Sequence, residues 1–414
     1  MTFEELLKNW ATEIQALKET MIIAQVLNEK ILEDRDKEIK DFIKTKCKIL
    51  EKRSEDDFSY EIPDSVYTLH SEKKKEINKF TVACSIFPRM FVVTLVCQYD
   101  AIIGNLIRLV LTNKPEILNG SEKTISFKQL TEYHSMEEAK EAIIAKEIET
   151  ILRDSHDDQL KWFENKLGIK LHEDKELIAK FIEITERRNL FTHTNGVVND
   201  SYISNCKKYG IKVEVETGDI LEVSPTYFTE ASDCIMEIGI KLIVILWRKT
   251  LESELDETES VTNQIAYGFI AEENYNLALK ILDFCLTCFK PFKSSSNRLM
   301  VVMNKAQCLL WLHEDEKAQM LLDAQDWSLC TPQFLLCKKV LERKFNEAID
   351  ILRTQDTKLD QIDLMSWPVF KEFREQQLFK DYCNEKYPNT IKDFSAEMPN
   401  NLIEAEEQLK KEAY

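Results

Sequence analysis

The sequence predicts an all-α protein with one small β-hairpin near 211–223. Three observations carry that expectation. Only 8 Gly and 9 Pro occur in 414 residues, too few for a turn-rich β architecture. Apolar residues recur three and four apart over long stretches, the period of a helix that buries one face. Strict alternation appears once, in Ile211-Lys212-Val213-Glu214-Val215-Glu216, then Thr217-Gly218-Asp219, then Ile220-Leu221-Glu222-Val223. With 44% apolar and 31% charged residues the chain is globular, and its length calls for more than one core. Three regions are expected: an N-terminal helix over 1–57, a helical bundle over 58–254 and helical repeats with an acidic tail over 255–414.

In the first region Phe3, Leu7, Trp10, Ile14, Leu17, Met21 and Ala24 step alternately by four and three, a narrow seam suited to a short coiled coil or to the first helix of a bundle. Asp56 to Asp64 breaks the period and reads as a loop. In the bundle, Pro88 is expected to interrupt a helix that resumes as Met90 to Leu111, apolar on most faces and therefore central. Asp100 lies inside it. A carboxylate there needs a cation, either to pair with a bundle arginine or to orient Arg188. Lys114-Pro115 and Asn119-Gly120-Ser121 stop the helix, and Ser135-Met136-Glu137-Glu138 starts another that should run through Ile151 and past Trp162. Glu176 to Phe191 follows, with Ile178, Phe181, Ile182 and Ile184 or Thr185 on its core side. Phe228 to about Leu251 closes the bundle, and acidic Glu252 to Glu259 reads as a linker.

The last region repeats. Tyr275-Asn276-Leu277-Ala278 with Leu282 recurs as Phe345-Asn346-Glu347-Ala348 with Leu352, and Ala318 with Leu322 is a weaker copy. Ala266, Ala306 and Leu336 stand upstream of each. The intervals are about 40 then 30 residues, with Lys290 to Asn297 as an insertion. Small residues at a fixed offset let paired helices approach closely, and the pattern resembles a degenerate tetratricopeptide repeat. The resemblance implies an α-hairpin array ending near Pro388, an acidic tail helix beyond it, and a surface for a protein partner.

The stretch that carries chemistry is Thr185-Glu186-Arg187-Arg188-Asn189-Leu190-Phe191-Thr192-His193-Thr194-Asn195-Gly196. At about 100° per residue Asn189 and His193 share a face, and the long Arg188 side chain can swing towards it. Asn195-Gly196 is a helix stop, so His193 should lie at the negative end of a helix dipole, which favours the charged ring. A proton-transferring imidazole, a phosphate-binding guanidinium and an orienting amide suffice for phosphodiester cleavage without a metal. The plainer alternative is a salt-bridged Arg188 and a His193 that caps its helix.

Arg188-Asn189-x-x-x-His193, downstream of long apolar helices, resembles the HEPN superfamily. The resemblance covers about 80–247. It implies a HEPN-like bundle acting as a dimeric, metal-independent endoribonuclease, with RNA as substrate, Arg188, Asn189 and His193 as catalytic residues and Asp100 as a possible orienting residue. No cofactor or metal is implied. Family members often act in bacterial stress response, as toxins or in antiviral defence. One motif supplies one histidine, whereas a symmetric dimer supplies two, an acid and a base. The rival expectation is a non-catalytic interaction scaffold whose Arg and His are structural.

Charge and composition narrow the classes. A net charge of −18 argues against non-specific coating of nucleic acid. RNA would have to meet a local basic patch, Lys44, Lys46, Lys48, Lys52 and Arg53 or Lys73, Lys74 and Lys75, although such runs are more often solvated helix faces. The N-terminus lacks a signal-peptide pattern, and Met90 to Leu111 and Cys234 to Trp247 carry internal charges that suit core helices better than membrane spans. A cytoplasmic location with no membrane is the expectation. The 11 cysteines are scattered, and Cys285-Leu286-Thr287-Cys288 stands in a helical context without a second pair, so it reads as packing. His70, His134, His156, His172 and His313 form no metal-ligand spacing. No Gly-rich phosphate loop occurs.

Overall fold

A computed structural model describes residues 1–54, 58–120 and 132–387. It is 76% helical, with sixteen helices and one two-stranded hairpin among the described residues, so the all-α class with one small hairpin holds. The expected tail helix beyond Pro388 lies outside the described residues.

The chain forms two compact units that interleave in sequence: Thr12–Ala101 with Leu152–Ile235, and Met1–Ala11 with Ile102–Ile151 and the chain from Met236 onward. The first unit contains the candidate site. Its arm is a long antiparallel pair, the Thr12-to-Lys46 part of α1 (Phe3–Lys46) against the start of α2 (Asp64–Asn113). Arg35 pairs with Glu76 at 2.6 Å and Lys73 with Glu38 at 3.7 Å across it. The hairpin sits at its tip, β1 (Lys48–Lys52) against β2 (Phe58–Glu61). The first helix therefore ends at Lys46 rather than near 57, and part of the expected loop is strand. Residues 55–57 are outside the described set.

Pro88 does not interrupt α2, which runs through it for 50 residues. One lost backbone hydrogen bond is tolerated because the flanking turn packs: Phe87 meets Phe91 edge-on at 5.0 Å, and Phe91 meets Phe228 at 5.9 Å. Further along, Val92, Leu95, Val96 and Tyr99 are buried, as expected of a central helix. Yet α2 also holds an 18-residue window of mean hydropathy 1.9 that is only 17% buried, long and apolar enough to cross a membrane by length and composition.

The expected long helix past Trp162 is two helices, α3 (Met136–Ile151) and α4 (His156–Leu167). Ser155 separates them, its hydroxyl accepting from the Asp158 amide as an N-cap. The motif helix is α5 (Lys175–His193), capped by Asp174 and buried along Ile178, Phe181, Ile182, Ile184 and Thr185. It stops where expected: the amides of Thr194 and Gly196 both donate to Leu190 O, with Asn195 and Gly196 at positive φ. After α6 (Asp200–Lys208) comes the segment expected as a hairpin, 211–223, which is not one. Its Ile211, Val213 and Val215 do turn inwards on alternate residues, against Leu190, Val198, Tyr202 and Cys206. Its backbone pairs instead with the chain after the motif helix, through Val198 N to Asp219 O at 2.8 Å and Leu221 N to Gly196 O at 2.9 Å. Alternation reported one-sided burial correctly and the strand partner wrongly.

In the second unit the end of α7 (Pro225–Thr250) meets the N-terminal turns of α1, with Trp247 stacked on Phe3 at 6.2 Å. Gly239 is required there, because a Cβ would lie 2.3 Å from Trp10 Nε1. The expected acidic linker at 252–259 is a 3-10 turn running into α8 (Leu255–Ala271). Glu259 is fully buried because the amides of Lys293 and Ser294 donate to its carboxylate.

Three helical hairpins follow: α8 with α9 (Tyr275–Cys288), α10 (Ser295–Trp311) with α11 (Asp315–Asp323), and α12 (Pro332–Leu341) with α13 (Phe345–Thr354). Their turns are copies of one another. Glu273, His313 and Arg343 each adopt a positive φ, and the next residue's amide returns to Phe269, Leu309 and Lys339 O respectively. Ala278, Ala318 and Ala348 are fully buried at the same offset after each turn, and Ala266, Ala306 and Leu336 before it. Three short helices, α14 (Gln361–Ser366), α15 (Lys371–Arg374) and α16 (Gln377–Lys386), complete the described chain. Cys285 is buried and Cys288 half-buried, and burial pushes both thiols up, which suits packing rather than redox work.

Candidate functional site

Three of the four sequence-derived residues come together. Arg188 faces α2, where its Nη2 donates to Asp100 Oδ2 at 2.8 Å, and its Nη1 donates to Asn189 Oδ1 at 3.3 Å. Asp100 thus pairs with a bundle arginine that is Arg188 itself. The guanidinium is 19% exposed and the carboxylate 32%, so the pair lies at the edge of solvent, and Arg188 Nε is buried with no hydrogen-bond partner among the described residues.

His193 stands apart from this group. As the last residue of α5 it is exposed, five residues and about 140° round the helix from Arg188. No hydrogen bond among the described residues joins it to Arg188, Asn189 or Asp100. The side-chain swing anticipated for Arg188 goes to Asp100 instead, because a carboxylate on the facing helix outcompetes a ring on its own.

A second histidine that sequence spacing passed over joins the cluster. His156 opens α4, and its Nε2 donates to the free Asp100 Oδ1 at 3.0 Å. Its ring is 12% exposed, edge-on to Phe181 at 5.7 Å and near Tyr99 at 6.0 Å. Burial and the adjacent Asp100 push the Tyr99 hydroxyl up, so it is a neutral phenol. Nothing in the sequence links positions 56 residues apart, and a helix read as continuous past Trp162 hid the start at His156.

One turn earlier on α5 lies a cluster that holds the motif helix in place. Glu183 accepts from Arg187 Nε at 2.7 Å, Tyr202 Oη at 2.8 Å and Tyr227 Oη at 2.9 Å, and the Arg187 guanidinium stacks 3.9 Å from the Tyr227 ring. Burial pushes both tyrosine hydroxyls up, and the Glu183 charge adds to it, so both serve as neutral donors. Beyond the motif, Arg89 Nη1 donates to Asn195 O at 2.9 Å and fixes the turn after His193.

No family model, curated protein or solved structure matches the chain.

Each basic run holds residues paired with acidic neighbours. Lys48 pairs with Glu61 at 3.2 Å, Arg53 with Glu51 at 3.4 Å and Lys73 with Glu38 at 3.7 Å. Among the described residues no group of three or more His, Cys, Asp and Glu side chains is placed to hold a metal ion.

Proposed function

We propose that this chain is a HEPN-type endoribonuclease that acts without a metal and as a dimer, with its helical repeats as the regulatory, partner-binding part. The observation that carries this reading is the Asp100–Arg188–Asn189 group at the end of the helix whose last residue is an exposed imidazole. Attack of an RNA 2′-hydroxyl on its own phosphorus needs a base for the hydroxyl proton and an acid for the departing 5′-oxygen. It also needs positive charge at the phosphorane. The bond to the 5′-oxygen breaks, leaving a 2′,3′-cyclic phosphate. Arg188 would stabilise the phosphate charge, Asn189 would orient it, and His193 from each of two copies would supply base and acid. A role in bacterial defence or stress response fits a nuclease held in check by a sensor.

The test is incubation of purified protein with total RNA in chelator. Cleavage that His193→Ala abolishes supports the reading. Absence of cleavage under all conditions, or cleavage unchanged in His193→Ala, removes it.

A scaffold without catalysis is the second reading, and one observation favours it: Arg188 is already committed to Asp100 in a chain of net charge −18. On that reading the three matched hairpins carry the function, and the Arg188 pair only ties α5 to α2.

A further inference from the structure

Arg188 has a histidine at its side within the chain, and it is not the one that ends its helix. Asp100 accepts from Arg188 Nη2 through Oδ2 and from His156 Nε2 through Oδ1, which sets the two nitrogens at most about 8 Å apart. An ionised carboxylate only accepts hydrogen bonds. The ring proton is therefore on Nε2, and Nδ1 keeps its lone pair. Nδ1 makes no hydrogen bond among the described residues and is not a sealed atom, the side chain as a whole being 12% exposed. Phe181, edge-on, and Tyr99 hold the ring in this orientation.

We infer that His156 is a further catalytic residue, the base that takes the 2′-hydroxyl proton on Nδ1, a role that rests on the endoribonuclease reading. A base must come within hydrogen-bond reach of its proton while the guanidinium holds the phosphate. His156 shares a carboxylate with Arg188, whereas His193 lies about 140° round α5 from it and has no hydrogen bond to its group among the described residues. A histidine held by a carboxylate through one nitrogen, with the other free, has its tautomer fixed and its imidazolium stabilised. Arg188 takes the phosphate in exchange for Asp100, and the carboxylate so released faces His156 alone. As the 2′-oxygen forms its bond to phosphorus, its proton passes to Nδ1. The bond to the 5′-oxygen breaks, and that oxygen takes a proton from His193. This leaves His193 the acid. A purely structural His156 would need only its Nε2–H, a donor that a glutamine amide also carries.

The test compares His156→Gln and His193→Ala on two substrates: an oligoribonucleotide, and the same strand with sulfur in place of the 5′-bridging oxygen, a leaving group that departs without a proton. Rates are taken per folded protein, read by circular dichroism, so that lost stability does not count as lost chemistry. His156→Gln should lower kcat by about 100-fold or more, with KM held within about threefold, and by the same factor on both strands. His193→Ala should lose cleavage of the oxygen strand and regain most of it on the sulfur strand. His156→Gln at the wild-type rate, or a loss that the sulfur strand repairs, overturns the base role and leaves the nuclease reading standing. A wild-type chain that cleaves neither strand removes the nuclease reading, and the base role with it.

Discussion

Asp100 accepts the Arg188 guanidinium through Oδ2 at 2.8 Å and leaves Oδ1 to His156 at 3.0 Å. One carboxylate therefore couples α2, α4 and α5. A phosphate that approached Arg188 would compete with Asp100 for the guanidinium, and the displaced carboxylate would keep a partner in His156.

Asp100→Asn removes that competition and also a partly buried ion pair. Folding stability should fall by about 1–2 kcal/mol, between the values for exposed and buried pairs. An oligonucleotide with 2′-deoxy sugars, which cannot be cleaved by its own hydroxyl, should bind several-fold more tightly. Chemical denaturation and fluorescence anisotropy read the two effects separately. Binding that weakens instead would show that Asp100 orients Arg188 rather than masking it.

The two histidines should separate by what they damage. His193 is exposed and has no hydrogen bond to the Arg188 group among the described residues, so His193→Ala should leave stability within about 0.5 kcal/mol while removing any cleavage. His156→Ala leaves one Asp100 oxygen without its donor and opens space beside Phe181, and should cost about 1–3 kcal/mol. Thermal unfolding and RNA cleavage on both variants decide it. Stability lost in His193→Ala would mean the ring is structural after all.

What the sequence made legible was whatever depended on near neighbours. The buried seam of Phe3, Leu7, Trp10, Ile14 and Met21, the stop at Asn195-Gly196 and the equal offsets of Ala278, Ala318 and Ala348 all follow from local period and turn chemistry. Asp100 was legible as a carboxylate in need of a cation. What stayed hidden required a distant partner. His156 meets Asp100 across 56 residues, Glu183 gathers Tyr202 and Tyr227, and the 211–223 segment pairs with 196–198 rather than with itself. Pro88 misled because the helix-breaking rule ignores the packing of Phe87 and Phe91, and acidic 252–259 misled because Glu259 finds amide donors in the Lys293 turn.

Acid should unfold the site-bearing unit partly through Asp157. Burial alone would raise this carboxyl, but hydrogen bonds from Lys161, Tyr209 and His172 outweigh it and hold it at about 2. A folded value below the unfolded one means the stabilisation is fully present above the unfolded value of about 4. It is lost as pH falls from there towards 2. Because Lys161 is half-exposed, a discounted contribution of about 1 kcal/mol is expected. Asp157→Asn should lower stability at pH 7 and flatten its decline between pH 4 and pH 2, read by urea unfolding across that range. An unchanged slope would show that the native hydrogen bonds to Asp157 contribute nothing net.

The repeat turns give the sharpest stability test, because three of them share one geometry with three different residues in the left-handed position. A non-glycine residue there is strained by about 1 kcal/mol, and glycine relieves it. His313→Gly should therefore raise stability by about 0.5–1 kcal/mol, since no hydrogen bond or ion pair of its side chain is lost among the described residues. Arg343 has the same backbone, with φ of 54, but its guanidinium reaches Asp315 at 2.6 Å and Glu372 at 2.8 Å, so Arg343→Gly should gain the backbone relief and lose both pairs. Urea unfolding of both variants should give changes that differ in sign or nearly so. If both stabilise equally, the Arg343 pairs are inert surface contacts; if both destabilise, the left-handed turns store no strain for glycine to release. Ala318→Leu provides the control for packing, because that side chain is fully buried between paired helices and enlargement there should cost about 1–3 kcal/mol.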